Sequence, residues 1–307
     1  MAGGFVWFAL IKARSQGECF MEIISRIMPP NYEIIDTGDW HIGPLTSNID
    51  GIKKMIKYVK NHKNVFVVLK GDLIDALSAE DKRYKHCTMD TKFLTVQAQY
   101  RYVQDLISEI RERVLFVQLG NHELVHLNDF DYAKEWSENL DIPYGGYSAK
   151  FIHLDRDGVP RFKQFYCHGS GSVNSSVESD IKRKAAIEDG IRKKLTKTLH
   201  SDVIYMSMAH LHKLVAIAPT IANELHLIDD GKKTKARYQT FEDQSAEYIP
   251  PNARWYGCSG SFLNTNAPGG VYMIPYAEVA MYGPLEHGYL KVIIKNDRMV
   301  DLQRIVL

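Results

Sequence analysis

Five short motifs along this chain are rich in carboxylate, amide and imidazole side chains. In chain order they are Asp39-Trp40-His41, Gly71-Asp72-Leu73-Ile74-Asp75, Gly120-Asn121-His122-Glu123, His168-Gly169 and His210-Leu211-His212. Oxygen and nitrogen ligands of this kind suit hard or borderline divalent cations, and none of the motifs contains a thiolate. The motifs therefore indicate a hydrolase with two metal ions. Mn is the first candidate, and Fe, Zn and Ni are the alternatives.

Two of the motifs place potential ligands one residue apart. Asp39 and His41 share this spacing with His210 and His212. On an extended loop such side chains point to the same side, so each pair has the geometry to contact cations. A turn beside a surface histidine gives the same Asp-x-His pattern, and that alternative stays open for the first motif taken alone.

The other motifs each allow a metal role and a structural one. Asp72 ends a buried strand, where a bare carboxylate needs a cation, although an aspartate there also suits a helix N-cap. Asn121 offers an uncharged amide oxygen to a metal. The adjacent His122 is expected to face the substrate as a proton donor or a positive stabiliser of phosphoryl oxygens. A capping asparagine beside a surface histidine, and a core role for His168, are the structural alternatives.

Each motif follows a segment with the pattern of a β-strand. The predicted strands are 32–36, 65–69, 114–119, 163–167 and 203–208, and the predicted helices are 48–61, 95–112, 130–140 and 176–200. Ligands of open α/β sheets collect beyond the carboxyl ends of strands, where loops converge. The order of elements thus predicts one site built from all five motifs. A closing hairpin is expected from 290 to 305.

The whole chain has the composition of an ordinary globular protein. Its 307 residues are 45% hydrophobic and 24% charged, with a net charge of +1, so no overall attraction to nucleic acid or anionic membrane is expected.

We expect residues 1–30 to form an N-terminal extension, with Met21 as an alternative start, and residues 31–307 to form a single domain. The four cysteines are widely spaced, which favours a reducing cytoplasm, and the apolar run 5–10 is too short to span a bilayer.

The ordered motifs resemble those of the calcineurin-like metallophosphoesterase superfamily, over residues 39 to 212. The resemblance implies a four-layer α/β-β/α sandwich of two mixed sheets and a dinuclear centre. It also implies that two cations ~3.5–4 Å apart activate a bridging hydroxide, which attacks phosphorus in line with the leaving group. By the same resemblance, the first metal would be bound by Asp39, His41, Asp72 and His212, and the second by Asp72, Asn121, His168 and His210. Asp75 would orient its neighbours, and Ala209 replaces the glycine usual before His-x-His.

The expected substrate is a phosphate ester, with a preference for diesters, nucleotides or nucleic acid. Asp75 is followed by Ala76-Leu77, whereas protein phosphatases of the superfamily usually have Asp-Arg-Gly there. The segment Asp39-Trp40-His41-Ile42-Gly43 is most similar to the first motif of the DNA-repair nuclease branch. A phosphomonoesterase and a non-catalytic metal-binding scaffold are the alternatives. No association with membranes is expected, and the sequence names no protein partner.

Basic residues concentrate in the predicted helix 176–200 and again at Lys232, Lys233, Lys235 and Arg237. They could neutralise nucleic acid phosphates. We favour a solvated helix face instead, with Ile181, Ile191, Leu195 and Leu199 packed inward. The aromatic residues Trp40, Tyr272, Tyr276 and Tyr282 could stack a base but are more typical of core positions.

Overall fold

The computed structural model of the chain describes residues 21–77, 81, 84, 86–127, 130–229, 231–238, 241–266, 274–275, 278, 283 and 285–307. Its strands are β1 (Glu22–Ile27), β2 (Tyr32–Thr37), β3 (Val65–Leu69), β4 (Val114–Val117), β5 (Ser148–Leu154), β6 (Pro160–Cys167), β7 (Tyr205–Met208), β8 (Leu214–Ile217), β9 (Leu225–Asp229), β10 (Thr234–Tyr238), β11 (Trp255–Ser259), β12 (Gly288–Lys295) and β13 (Arg298–Val306). Its α-helices are α1 (Ile49–Asn61), α2 (Val96–Ser108), α3 (Asn121–Leu124), α4 (Tyr132–Leu140) and α5 (Asp180–Thr196).

The strands form two large mixed sheets and one two-stranded ribbon. The five-stranded sheet has the order β13-β12-β2-β3-β4, the six-stranded sheet has the order β1-β5-β6-β7-β11-β8, and β9 pairs with β10. Strands β2, β3 and β4 run parallel, as do β6, β7 and β11. Each sheet therefore has neighbouring parallel strands whose carboxyl ends lie at one edge.

Alternating side chains of the sheets fill separate cores, as the two-residue period of a strand requires. Ile35 and Val67 pack toward α1, α2 and α4, whereas Ile34 and Phe66 lie between the two sheets. On the six-stranded sheet, Met206 and other outward residues pack against α5. The layers are thus helices, sheet, sheet and helix, and the predicted four-layer α/β-β/α sandwich is confirmed.

Helix α1 shows how the local sequence produces these layers. Ile52, Met55, Ile56 and Val59 recur at the spacing of one helical face, and all four are buried. The Asn48 side chain accepts a hydrogen bond from the Gly51 amide and caps the helix start. Within the described residues no helix is both long and apolar enough to cross a membrane.

Strand β1 corrects the predicted boundary of the N-terminal extension. It pairs in parallel with β5 at the edge of the six-stranded sheet, so residues 22–27 belong to the fold and the predicted domain start at residue 31 is too late. As an edge strand it is largely exposed, which weakens its apolar signal in the sequence. Residues 1–20 lie outside the described residues.

Helix α5 is shorter and less buried than predicted. Ile191 and Leu195 are buried, as expected, but Ile181 is 84% exposed and Leu199, which follows the helix, is 86% exposed. The inward packing predicted for these last two residues is therefore wrong. The helix meets the sheet only through its C-terminal half, and its first half projects into solvent.

Candidate metal centre

All the predicted ligands lie just beyond the carboxyl ends of the parallel strands. Asp39 and His41 follow β2, Asp72 follows β3, Asn121 follows β4, His168 follows β6, and His210 and His212 follow β7. The loops therefore come from both sheets and meet at one edge of the sandwich. Together with His122, the six carboxylate and imidazole residues among them form three overlapping groups, and within each group the ligand atoms lie within 4.8 Å of one another. The groups are Asp39-His41-His212, His41-Asp72-His122 and Asp72-His168-His210.

The first group consists of Asp39, His41 and His212. The Nε2 atoms of the two imidazoles lie 3.1 Å apart, a distance that two metal–nitrogen bonds of ~2.0–2.1 Å can span. Asp39 Oδ1 lies 3.9 Å from Nε2 of His41 and 3.8 Å from Nε2 of His212. Three ligand atoms thus converge on one small volume.

The Asp39 carboxylate has one oxygen satisfied and one without a partner. Oδ2 accepts a hydrogen bond from the His210 amide at 2.8 Å, whereas Oδ1 is fully buried and accepts none. Burial, together with the charge of Asp72, raises the pKa of Asp39 to about 6. A buried carboxylate oxygen without a partner is costly, and a cation at this position would remove the cost. This orphaned oxygen fits a metal site.

The second group consists of Asp72, Asn121, His168 and His210. Asn121 Oδ1 lies 2.9 Å from Nε2 of His168 and 2.6 Å from Nδ1 of His210. Asp72 Oδ2 lies 3.3 Å from Nε2 of His168 and 3.8 Å from Nε2 of His41. Asp72 therefore stands between the two groups, in the position that a bridging ligand requires.

The electrostatic field in this region favours positive charge. Burial by itself would lower the pKa of His41, but the carboxylates, chiefly Asp75 and Asp72, raise it to about 9. Burial would also lower the pKa of His168, but the charge and the hydrogen bond of Asp72 raise it to about 9. By contrast, burial and the charge of His41 lower the pKa of His212. The carboxylates therefore attract positive charge, and a bound cation can take the place of the protons on His41 and His168.

Several of these residues have left-handed backbone geometry, which non-glycine residues rarely adopt. Positive φ angles of 46° to 66° occur at Asp39, His41, Asp72, His210 and His212. Each such residue costs of order 1–3 kcal/mol and persists only where the surrounding structure enforces it. Their concentration at one edge of the sheets supports a functional constraint on the side-chain directions.

Asp75 and His122 lie beside the first group. Asp75 Oδ1 lies 3.2 Å from His41 Nδ1, which leaves Nε2 of His41 directed at the group. A carboxylate in this role fixes the tautomer and orientation of a ligand histidine. The Nδ1 of His122 donates to the Asp75 carbonyl at 2.6 Å, so its Nε2 is left for another partner. The His122 ring is partly exposed and packs edge-on against His41, at 4.7 Å between centroids.

Glu123 is a positioning residue to which the sequence motif gave no role. It is completely buried, and its carboxylate accepts backbone hydrogen bonds from Asp72, Leu73, Ile74 and Gly120 at 2.8 to 3.3 Å. It thereby ties the loop after β3 to the loop after β4. The sequence signal for this positioning role was the place of Glu123 directly after Gly120-Asn121-His122, because a carboxylate there can accept hydrogen bonds from backbone amides of an adjacent loop.

Two glycines allow the loops to approach closely. A Cβ on Gly120 would lie 2.1 Å from Asp72 Oδ1, so no larger residue fits there. A Cβ on Gly38 would lie 3.2 Å from the Ala209 methyl group. The space that Gly38 leaves therefore accommodates Ala209, which departs from the glycine usual at its position.

Among the described residues, the aromatic side chains considered for base stacking form no stacking platform. Trp40 is fully buried, and its indole N–H donates to Thr37 Oγ1 at 3.1 Å, so it is a core residue. Tyr272, Tyr276 and Tyr282 lie outside the described residues.

Solved structures similar to this chain include a metallophosphoesterase, a calcineurin-like phosphoesterase and a putative 5'-nucleotidase. A metallophosphoesterase from Sphaerobacter thermophilus is 12% identical, with a TM-score of 0.41 over 90% of this chain and 88% of its own. A calcineurin-like phosphoesterase from Bacillus subtilis is 13% identical, with a TM-score of 0.32 over 76% of this chain and 82% of its own. A putative 5'-nucleotidase from Staphylococcus aureus is 9% identical, with a TM-score of 0.38 over 90% of this chain and 54% of its own.

No curated protein sequence shows significant similarity to the chain. The sequence profile of the calcineurin-like phosphoesterases, however, matches residues 33–218. This range includes all five motifs and more than half of the 307 residues. The chain therefore belongs to the calcineurin-like phosphoesterase family and is a metal-dependent hydrolase of phosphoric esters.

Proposed function

We propose that the chain is a dinuclear metal phosphodiesterase. Asp39, His41, Asp72 and His212 would hold one divalent cation, and Asp72, Asn121, His168 and His210 the other. The observation that carries this proposal is the place of Asp72 Oδ2 between the two groups, 3.8 Å from His41 Nε2 and 3.3 Å from His168 Nε2. Neutral imidazoles, an amide and carboxylates form a donor set that suits Mn²⁺, with Fe, Zn and Ni as alternatives.

The cations, when bound, would supply an activated water and neutralise charge on the phosphate. The residues of the chain would perform the remaining tasks. Asp75 holds His41 in its ligand orientation, and Glu123 holds the Asp72 loop. His122 would donate a proton through Nε2 to the leaving oxygen, or stabilise the developing negative charge there, while its Nδ1 stays bonded to the Asp75 carbonyl.

Two features support a diester over a monoester. Ala76 and Leu77 are buried apolar residues, so this segment offers no guanidinium to a terminal phosphate dianion. The similarity of Asp39-Trp40-His41-Ile42-Gly43 to the first motif of nucleases also favours diesters. We further propose a cytoplasmic location, since Cys87, Cys167 and Cys258 are free thiols.

The proposal is tested with metal-free protein to which Mn²⁺ is added back. We expect hydrolysis of bis-p-nitrophenyl phosphate to exceed that of p-nitrophenyl phosphate, and we expect Asp72→Asn to abolish both. Asp141→Asn is the matched control, because Asp141 is exposed and also has a positive φ of 52°. Full activity in Asp72→Asn would overturn the metal assignment. Preference for the monoester would show that the activity is that of a phosphomonoesterase instead of a diesterase. Metal binding without turnover of esters, DNA or RNA would indicate a scaffold.

A further inference from the structure

A fully buried ion pair lies between the two sheets, next to the candidate metal centre. Lys70 Nζ is 2.7 Å from Asp36 Oδ1, and both side chains are 0% exposed. The surrounding inter-sheet core is apolar, with Ile34, Phe66 and Phe151 among its members. Burying two charges in such a core carries a large desolvation cost, and apolar residues of similar volume are often equally stabilising. Stability alone therefore gives no reason for the pair.

The hydrogen bonds of the pair cross from one sheet to the other. Lys70, at the end of β3, donates to Ser207 Oγ at 2.6 Å and to the Met208 carbonyl at 2.9 Å, both on β7. Asp36, on β2, accepts from Tyr205 OH at 2.6 Å and from Ser207 Oγ at 2.5 Å. The ion pair thus connects the five-stranded sheet to the six-stranded sheet through directional contacts.

Both charged residues of the network, and also Met208, precede a predicted metal ligand by two or three residues. Lys70 precedes Asp72, Asp36 precedes Asp39, and Met208 precedes His210. The backbone carbonyl of Lys70 also accepts a hydrogen bond from His168 Nδ1 at 2.7 Å, which directs Nε2 of that histidine at the second group. The network therefore contacts the segments that carry ligands from both sheets.

We propose that Lys70 and Asp36 are positioning residues that hold the two sheets in the register required by the second cation group. Dispersion contacts between the apolar faces are not directional and tolerate small sliding movements. The hydrogen bonds to Ser207 and Met208 do not tolerate sliding, because hydrogen bonds weaken steeply with distance and angle. This inference rests on the proposed function, since it assumes that Asp72, Asn121, His168 and His210 bind a metal.

The test compares Mn²⁺ binding with stability in an apolar variant. This variant combines Asp36→Leu, Lys70→Met, Tyr205→Phe and Ser207→Ala, so that no polar side chain of the network is left without its partner. We expect its Tm in EDTA to equal or exceed that of the wild type. We expect the dissociation constant of the weaker Mn²⁺ site, measured by calorimetric titration and electron paramagnetic resonance, to rise ~10–100-fold, as when residues that orient ligands are lost.

Val292→Ala is the matched control, because Val292 is a fully buried inter-sheet residue outside the network. It should lower the Tm and leave both Mn²⁺ dissociation constants unchanged. Wild-type Mn²⁺ affinity in the apolar variant would overturn the inference. Failure of the wild type itself to bind two Mn²⁺ ions would instead overturn the proposed function.

A milder pair of variants keeps the inference testable if the apolar variant does not fold. Ser207→Ala removes one contact to Lys70 and one to Asp36, while Ser207→Thr retains the hydroxyl group. We expect weaker Mn²⁺ binding in the alanine variant and recovery in the threonine variant. Equal affinity in the alanine variant and the wild type would contradict the positioning role.

Discussion

At the residue scale, His122 is the histidine near the metal centre for which we propose a role toward the substrate. Its Nδ1 bonds to the Asp75 carbonyl and lies 3.4 Å from Asp75 Oδ1, and its ring is partly exposed to the solvent. A residue in this position can reach the substrate without contributing to metal binding. The two roles of histidine in the centre are therefore separable by experiment.

We predict that His122→Gln lowers kcat by ~10²–10⁴-fold, the range typical of a lost general acid, while Mn²⁺ affinity stays close to that of the wild type. Steady-state kinetics on bis-p-nitrophenyl phosphate and calorimetric titration with Mn²⁺ provide the two measurements. His62→Gln, at an exposed position, should leave both unchanged. A His122→Gln variant that loses its metals but keeps turnover per bound metal would assign His122 to metal binding.

The second prediction at this scale concerns Glu123, whose carboxylate accepts four backbone hydrogen bonds. In Glu123→Gln the amide NH₂ would face backbone N–H donors, which leaves buried donors unsatisfied at ~1–3 kcal/mol each. We expect a lower free energy of unfolding and weaker Mn²⁺ binding, because the Asp72 loop is released. Denaturant unfolding and metal titration measure these effects. Glu138→Gln, at an exposed residue, is the control. Equal stability of the two variants would contradict the role of Glu123 in holding the two loops together.

At the element scale, the pairing of β5 with β6 buries a histidine that has no role in the metal centre. His153 lies on β5, stacks on Phe162 with 4.0 Å between ring centroids, and contacts the hydroxyl of Tyr32. It is 2% exposed, and burial lowers its pKa to about 3. The imidazole is therefore neutral in the folded protein at pH values where it is charged in the unfolded chain.

This difference predicts a pH dependence of stability. Between the unfolded pKa of ~6.5 and the folded value of about 3, the unfolded chain binds the extra proton, so His153 makes stability fall as the pH falls. At pH 5 the loss is ~2 kcal/mol. We expect the free energy of unfolding of His153→Gln, measured in urea at pH 7, 6 and 5, to fall less with decreasing pH than that of His62→Gln. Parallel slopes in the two variants would mean that His153 has the same pKa in the folded and unfolded states, which would contradict the prediction.

At the scale of the whole molecule, the candidate centre links the two sheets. Asp39, His41, Asp72 and Asn121 come from the five-stranded sheet, and His168, His210 and His212 from the six-stranded sheet. Cations bound there would stabilise only the folded chain, since the unfolded chain does not keep these ligands together. Metal binding is therefore expected to contribute directly to the free energy of folding.

We predict that Mn²⁺ at 100 times its dissociation constant stabilises the protein by ~2.7 kcal/mol per site and raises the Tm by several degrees. Excess EDTA should reverse the shift, as measured by calorimetry. Asp72→Asn should show a smaller Mn²⁺ shift than Asp141→Asn. An equal shift in both variants would locate the stabilising cation away from this centre.

The sequence by itself determined the types and order of the candidate ligands and the strands that precede them, because each depends on a few contiguous residues. The five apolar residues of β3, the helical face of α1 and the oxygen and nitrogen ligands after each strand were all predicted from such local patterns. The ordered motifs resembled those of a known family, and that resemblance implied the four-layer fold. The metal-binding roles of Asp39, His41, Asp72, Asn121, His168, His210 and His212, and the supporting roles of Asp75 and His122, stay predictions.

Only the tertiary structure decided which distant residues support the site. The four hydrogen bonds of Glu123, the ion pair of Lys70 with Asp36, and the space that Gly38 leaves for Ala209 join segments far apart in the chain. The solvent exposure of Ile181 and the sheet position of β1 also depend on which surfaces lie opposite them. Residue periodicity gives the direction in which a side chain points but not the partner it meets. The partners are fixed only when the strands pair within each sheet and the two sheets pack face to face.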